Sequence, residues 1–231
     1  IMKRIVLILN ILIAFTLAAN ILFAQETKPQ KVLRIVYEIK SDDWYREQAK
    51  LWKKEIDKNP KNTEAWHNYY NAVRYENFNR TIGTKAKQEK LQQIVAELGK
   101  NAPESFEYYY LKYFTSGDKT KDISDMEIAH KLAPDRPDPL YELITHYELA
   151  GDEKKVTDYY QQLYKTKDIA PWLVNYNYNV LMSTEANAII FTNGDNDTYP
   201  VRMLQEVKGI RTDVTILNIS MSGTETYLER M

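Results

Sequence analysis

The chain contains no cysteine among its 231 residues. This absence excludes disulfide bonds, thiolate zinc sites, a cysteine nucleophile and a lipid-bearing cysteine at an export cleavage site. The chain also lacks an excess of charge of either sign, because 31 basic residues stand against 32 acidic ones and the two kinds are interleaved. A nucleic-acid-binding protein needs a basic surface that neutralises phosphates. We therefore expect no nucleic acid among its partners.

The familiar catalytic signatures are missing as well. The three histidines, His67, His130 and His146, lie far apart in the sequence and have no histidine partner four residues away. There is no HExxH zinc motif, no GxSxG nucleophile elbow and no phosphate-binding GxxxxGK[ST] loop. The sequence therefore predicts no cofactor and assigns no catalytic residue.

The amino-terminal segment has the pattern of an export signal. Lys3 and Arg4 precede an uncharged apolar stretch over residues 5–24, and the polar run "QETKPQK" follows. A basic start, an apolar middle and a small residue at Ala24 predict a signal peptide over 1–24, cleaved before Gln25. We expect an exported protein of the periplasm or cell envelope. The alternative is an uncleaved anchor, since about 20 apolar residues span a bilayer; the protein contacts the membrane only in that case.

The composition, 44% hydrophobic and 27% charged, predicts one or two folded domains. Residues 25–40 are interpreted as a linker or a short strand, with "VLRIVYEI" over 32–39 as the strand candidate. From 41 to 182 the spacing of apolar residues is helical. Four turns there are marked by Pro60, Pro103, Pro134 and Pro171, at intervals of 43, 31 and 37 residues. Intervals of this size are typical of stacked helical hairpins.

One of these units resembles the tetratricopeptide repeat. In "PLYELITHYELAGDEKKVTDYYQQLYK", Leu140, Leu143 and Tyr147 fall at first-helix positions, Gly151 and Asp152 at the turn, and Tyr160 and Leu163 in the second helix. Val156 departs from the small alanine usual in the family. Trp66, Ala129 and Pro134 match the pattern in other units. The resemblance implies an α-α superhelix over 41–182 whose stacked hairpins bind a protein or peptide.

Tyrosine is abundant, with 18 residues and clusters at 69–70, 108–110 and 159–160. Adjacent residues on a helix point about 100° apart, so one cluster cannot line a single groove. We interpret most of these rings as packing between helices. The alternative is an aromatic groove that recognises a peptide or a glycan.

The spacing of apolar residues changes near Asn187. The run "NAIIF" predicts a strand, "YPVRMLQEVKG" a helix, and "DVTILNIS" a second strand, so residues 185–231 begin an α/β module. Two strands joined by one helix form a parallel pair. A single unit of this kind cannot bury both faces of its sheet, so we expect the module to continue beyond Met231. The predicted fold class is thus mainly α, with a superhelix followed by a partial β-α-β module.

The stretch "AIIFTNGDNDTYPVRMLQEVKGIRTDVTILNIS" resembles the soluble, carboxyl-terminal part of the DUF2723 family. Members of this family are large bacterial membrane proteins that resemble protein O-mannosyltransferases. The membrane portion that would carry glycosyl transfer has no counterpart in this sequence, so the resemblance implies no transferase activity here. It implies only a shared α/β segment, for which we assign no chemistry.

The loop "TNGDND" lies at the carboxyl end of the first strand, where open α/β sheets bind ligands. Three interpretations stay open. In the first, the loop is a polar turn that caps the helix, with Asp197 or Thr198 as the cap. In the second, the loop binds a small ligand or a cation such as Ca²⁺ or Mg²⁺. In the third, it carries a catalytic aspartate of the haloacid dehalogenase type. The ligand-binding candidates are Asn193, Asp195, Asn196, Asp197 and Ser220, and the metal candidates are Asp195 and Asp197.

The sequence therefore predicts an exported envelope protein that acts as a protein-binding or scaffolding module through helical repeats. The competing hypothesis is an envelope enzyme or ligand-binding protein with its site at the Asp195/Asp197 loop.

Overall fold

A computed structural model of the chain describes residues 28–78, 84–116 and 122–229. The predicted signal peptide lies outside these residues. The fold is mainly α, as predicted, with ten helices and one two-stranded sheet in the described ranges. None of the helices in these ranges is both long and apolar enough to cross a membrane. The chain divides into two compact units, Ile1–Leu91 and Gln92–Met231.

The helices and strands follow one another with short connections. Their bounds are α1 Asp42–Lys58, α2 Thr63–Tyr75, α3 Lys85–Asn101, α4 Phe106–Thr115, α5 Ser124–Leu132, α6 Asp138–Ala150, α7 Glu153–Thr166, α8 Pro171–Met182, β1 Ile189–Thr192, α9 Asp195–Lys208, β2 Thr215–Asn218 and α10 Glu225–Leu228.

In the first unit, α1 packs against α2. Each begins at a polar cap: the Ser41 hydroxyl accepts the Trp44 N–H, and the Asn62 side chain accepts the Ala65 N–H. Such caps satisfy backbone donors that have no partner within the helix. Trp66 is buried, and its indole N–H donates to the Pro60 carbonyl at 2.8 Å. The connection between the two helices is therefore held by its own polar groups and by a buried ring.

In the second unit, α4 packs against α5, α5 against α6, and α6 against α7. Leu140, Leu143 and Tyr147 are buried on α6, as their spacing predicts. Gly151 ends α6 with φ 77°, a left-handed conformation that glycine adopts without strain. The Asp152 carboxylate then accepts the Lys155 N–H and begins α7. The predicted hairpin is present at this turn.

The β-α-β module is also present. Strands β1 and β2 are parallel, with Ile189 opposite Thr215 and Thr192 opposite Asn218. One face of this sheet packs on α8 and α9, where Leu181, Val201, Leu204, Val214 and Ile216 form a buried cluster. The other face exposes Ile189 and Phe191, which keep 59% and 65% of their surface accessible.

Helix α9 begins at Asp195, four residues earlier than the periodic segment starting at Tyr199 suggests. Pro200 therefore lies inside the helix rather than in its first turn. The polar residues from Asp195 to Thr198 form the first turn of α9, so the polar loop supplies the start of the helix. Helix α6 begins at Asp138, and Pro137 precedes it at the cap position.

A buried ionic cluster joins α9 to α6 and α7. The Arg202 guanidinium lies 3.4 Å from Glu148 Oε1 and 3.2 Å from Glu206 Oε1. The Thr157 hydroxyl donates to the second oxygen of Glu206. Because Glu148 and Arg202 are largely buried, with 4% and 17% of their side chains exposed, each needs the other to offset its desolvation.

Candidate functional site

An extended segment of the chain, residues 28–33, lies against the α1–α2 pair. Four hydrogen bonds hold its main chain at two residues, Gln30 and Val32. At Gln30, the backbone N–H donates to Gln48 Oε1 at 2.6 Å, and the carbonyl accepts the Trp52 indole N–H at 2.8 Å. At Val32, the N–H donates to Asn68 Oδ1 at 2.7 Å, and the carbonyl accepts the Asn71 amide at 3.4 Å. We call the surface formed by Gln48, Trp52, Asn68 and Asn71 the amide groove.

The amide groove binds main-chain atoms, so these contacts do not depend on the side chains of the bound segment. The Val32 side chain is the exception, because it is 2% exposed and adds apolar burial. No strand forms over 32–39 in the described residues; a turn at Arg34–Tyr37 follows the bound segment instead. Helix side chains, rather than a neighbouring strand, satisfy the extended backbone here.

The sequence carried a signal for this groove that spacing alone did not reveal. Gln48, Asn68 and Asn71 are buried amides in the interior of helices, at 3%, 2% and 5% exposure. Asparagine is disfavoured inside helices, and a buried amide needs a hydrogen-bond partner. Two asparagines three residues apart among buried tyrosines therefore mark a polar strip that faces another backbone.

A cavity of about 410 Å³ continues the amide groove past Lys28 and Pro29. Leu51 and Trp52 of α1 form part of its wall, and Asn62 also lines it. The bound segment thus occupies one part of a longer depression.

In the second unit, the loop singled out by the sequence turns one of its two aspartates, Asp197, inward. Asp197 is the third residue of α9, and its carboxylate accepts the backbone N–H groups of Asn193 and Gly194, both at 2.8 Å. This is the helix-entry half of a capping box. Asp197 is one of the two predicted caps. It lies inside the helix, and its carboxylate reaches back to the backbone N–H groups that precede the first helical residue.

Thr198, the other predicted cap, ties the strand ends together. Its hydroxyl donates to Thr192 Oγ1 and accepts the Asn218 amide, both at 2.8 Å and both buried. The Asn218 Oδ1 accepts the Ser220 N–H at 2.8 Å, and the Asn218 N–H donates to the Tyr227 hydroxyl at 3.0 Å. The last residue of each strand and the first turn of α9 thus form one polar network.

The five predicted ligand-binding residues are only partly brought together. Asn193 and Asp197 share a hydrogen bond, while Ser220 is bonded to Asn218. Asp195 and Asn196 are exposed in the first turn of α9. Within the ranges that the structure describes, no group of three or more His, Cys, Asp or Glu side chains could hold a metal ion.

Arg211 holds the opposite end of the module. Its guanidinium donates to the carbonyls of Leu181, Thr184 and Glu185 at 2.9 to 3.0 Å, at the carboxyl end of α8. It also pairs with Asp213 at 2.9 Å, which, together with the Asn187 N–H, lowers the pKa of that carboxyl to about 2. The "GIRTD" stretch is therefore accounted for by structural contacts.

No curated protein matches the chain. Residues 173–231 match the family described as TMEM260-associated domain 2. The match covers α8 from its third residue onward, the β-α-β module and α10, and so contains the polar loop and the Arg211 contacts. This chain is therefore similar to that family over its carboxyl-terminal quarter.

Proposed function

We propose that the protein is an exported binding module of the cell envelope that holds an extended segment of a partner protein against paired helices. The observation that carries this proposal is the amide groove, which already holds an extended backbone through Asn68, Asn71, Gln48 and Trp52. A groove that binds main-chain atoms accepts extended peptides of varied sequence. The segment of residues 28–33 is, on this proposal, a tethered occupant that a partner displaces.

Two finer assignments belong to the same proposal. The hairpins are tetratricopeptide-like repeats, an assignment supported by the packing of α1 on α2, α4 on α5 and α6 on α7. The β-α-β segment is related to the soluble part of the DUF2723 proteins, an assignment supported by the dense motif that the sequence shares with them.

The enzyme hypothesis has less support. Both oxygens of Asp197 accept backbone N–H groups of their own loop, and the Thr198 hydroxyl is buried between strand ends. A general base or nucleophile needs reach toward a substrate. These contacts favour helix entry over catalysis for the loop.

The groove is tested with a labelled peptide of residues 28–36, KPQKVLRIV, added to the full chain. In the wild type, the tethered segment competes at a high effective concentration and should exclude the peptide. Val32→Gly weakens the tethered segment by removing a buried side chain worth about 1.5–3 kcal/mol. Fluorescence anisotropy should therefore show peptide affinity for Val32→Gly at least about tenfold above wild type.

Matched variants separate the groove from a general effect on folding. Val32→Gly/Asn68→Leu should no longer bind the peptide, because the Asn68 oxygen that accepts the N–H of the peptide residue equivalent to Val32 is gone. Val32→Gly/Lys50→Leu, changed at an exposed position of the same hairpin, should keep it. Equal binding by wild type and all variants, or none by any of them, would count against the proposal.

Export is tested separately. The full reading frame is expressed with its own amino terminus in a bacterial host, and the exported material is sequenced from its first residue. We expect Gln25 as the first residue. Recovery of the intact segment 5–24 in the membrane fraction would establish an anchor instead.

A further inference from the structure

A second cavity lies in the other unit, and none of the residues that line it belongs to the polar loop. It has a volume of about 550 Å³ and opens where α7 ends and α8 begins, with α9 at its base. The volume lies within the range of about 300–1,000 Å³ typical of small-molecule sites.

The base of the cavity is apolar and rigidly packed. Leu163 and Met203, which line it, are only 1% and 3% exposed. Ile169 and Val174 contribute further apolar wall, and Val174 also packs against the buried cluster of the β-α-β module. A hydrocarbon chain or ring placed here would gain burial without displacing a polar group.

The rim of the cavity carries positive charge only. The two charged residues that line it are Lys165 and Lys167, both exposed. A third ammonium, that of Lys208, lies 4.3 Å from the centre of the Tyr164 ring, which is also part of the lining. Asp168, between Lys167 and Ile169 in the sequence, is not among the residues that line the cavity, and its carboxylate accepts the Tyr141 hydroxyl at 2.6 Å.

Lys167 occupies a position where glycine is the usual residue. It ends α7 with φ 57° and ψ 25°, in the left-handed region that side chains with a Cβ adopt at some cost. The lysine thus brings an ammonium group to the cavity rim at a turn where glycine would be less strained. Strain of this kind occurs disproportionately at ligand sites.

We propose that this cavity binds an amphipathic monoanion, with an apolar chain or ring against Leu163 and Met203 and a carboxylate or similar group at Lys165 and Lys167. The charge of the rim selects the anion, and the volume of the cavity and its apolar base select a small ligand with a hydrocarbon body. The site is independent of the amide groove, so the failure of either proposal leaves the other standing.

Decanoate is the test ligand, and decanol, which has the same chain without the charge, is the matched control. Isothermal titration of the full chain should show decanoate binding at one site and decanol binding about two- to thirtyfold more weakly, because decanol lacks the charge that the two lysine ammonium groups attract. The Met203 methyl signal in a ¹³C-labelled sample should shift on addition of decanoate. A shift of exposed methionine signals alone would contradict the assignment to this cavity.

Three variants make the result decisive. Lys165→Gln/Lys167→Gly should weaken decanoate binding about tenfold, while thermal melts show equal or higher stability because the left-handed turn is relieved. Asn175→Trp, at the exposed rim, should block the cavity. Lys154→Gln, an exposed change elsewhere on α7, should change nothing. Unchanged binding in all three would place decanoate elsewhere, including on residues 5–24, and would overturn the proposal.

Discussion

The side-chain amide of Asn177 donates a hydrogen bond to the main-chain carbonyl of Asn196 at 3.0 Å. Asn196 lies four residues before Pro200, so its carbonyl is the one that Pro200, which lacks an N–H, leaves unbonded inside α9. Asn177 is 2% exposed on α8 and also donates to the Leu173 carbonyl of its own helix. A buried amide from one helix thus completes the backbone of another, and it explains how α9 continues through a proline.

The first prediction concerns the hydrogen bond from Asn177 to the Asn196 carbonyl. Asn177→Ala should lower the free energy of unfolding of the second unit by about 1–3 kcal/mol, because two hydrogen bonds, to the part-buried carbonyls of Asn196 and Leu173, are lost. Pro200→Ala restores a backbone N–H at that carbonyl. In the Pro200→Ala background, Asn177→Ala should therefore cost about 1 kcal/mol less. Denaturant melts of the four proteins give the coupling energy, and a coupling near zero would show that the two residues act independently.

The second prediction concerns the buried ionic cluster. Arg202→Met should destabilise the second unit by about 3–5 kcal/mol, because the Glu148 and Glu206 carboxylates stay buried without their cation. Lys112→Met removes an ion pair to Asp125 at 2.7 Å that has an exposed ammonium, and it should cost only about 0–1 kcal/mol. Urea melts of both variants decide the matter. Equal costs would mean that water or another cation replaces Arg202.

The third prediction concerns the two aspartates of the loop. Asp197→Asn should lower stability by about 0.5–2 kcal/mol, because an amide has one acceptor oxygen for two backbone N–H groups. Asp195→Asn, at an exposed position, should change stability by less than about 0.5 kcal/mol. Millimolar Ca²⁺, Mg²⁺ or a chelator should shift the melting temperature of neither the wild type nor the variants. A metal site would be established if a cation raised the melting temperature of the wild type but not that of the double variant Asp195→Asn/Asp197→Asn.

The fourth prediction concerns alkaline pH. Burial raises the pKa of Tyr160 well above its ordinary value of 10, and the Glu148 carboxylate acts in the same direction. The unfolded chain ionises this phenol near pH 10 and the folded chain does not, so its contribution to stability is complete below pH 10 and is lost as the pH rises. Tyr160→Phe should make the fall in unfolding free energy above pH 10 shallower, by up to about 1.4 kcal/mol per pH unit.

Two features make that comparison clean. The Tyr160 hydroxyl has no hydrogen-bond partner among the described residues, so its removal should cost little at neutral pH. Tyr176→Phe, at a ring that is 62% exposed on α8, is the matched control and should leave the alkaline profile unchanged. Parallel pH profiles for wild type and Tyr160→Phe would contradict the prediction.

Several parts of the fold could be predicted because they depend on neighbours in sequence. The turn at Gly151 and Asp152 needs only a residue that tolerates a left-handed backbone and a side chain that caps the next helix. The buried positions of Leu140, Leu143 and Tyr147 follow from helical spacing. The parallel pairing of β1 and β2 follows from two β-branched runs separated by one helix.

The candidate sites could not be predicted to the same degree. The asparagine and aspartate content of the loop is compatible with a turn, a cation site or a catalytic site, and only the geometry shows that Asp197 accepts two N–H groups of its own backbone. The amide groove unites Val32 with Asn68 and Asn71, which lie 36 and 39 residues further along the chain. No local pattern contains such a pair.

By itself, the sequence determined the mainly helical class, the Gly151 hairpin, the β-α-β order and the absence of cysteine chemistry, because each depends on residue type and on spacing within a few turns of chain. Only the tertiary structure decided which polar groups are satisfied and by what. Asn177 completes the Asn196 carbonyl, Arg202 neutralises the Glu148 carboxylate on another helix, and Asn68 holds an extended backbone. The physical reason is that a buried polar group must find its partner in space, and that partner lies wherever packing places it.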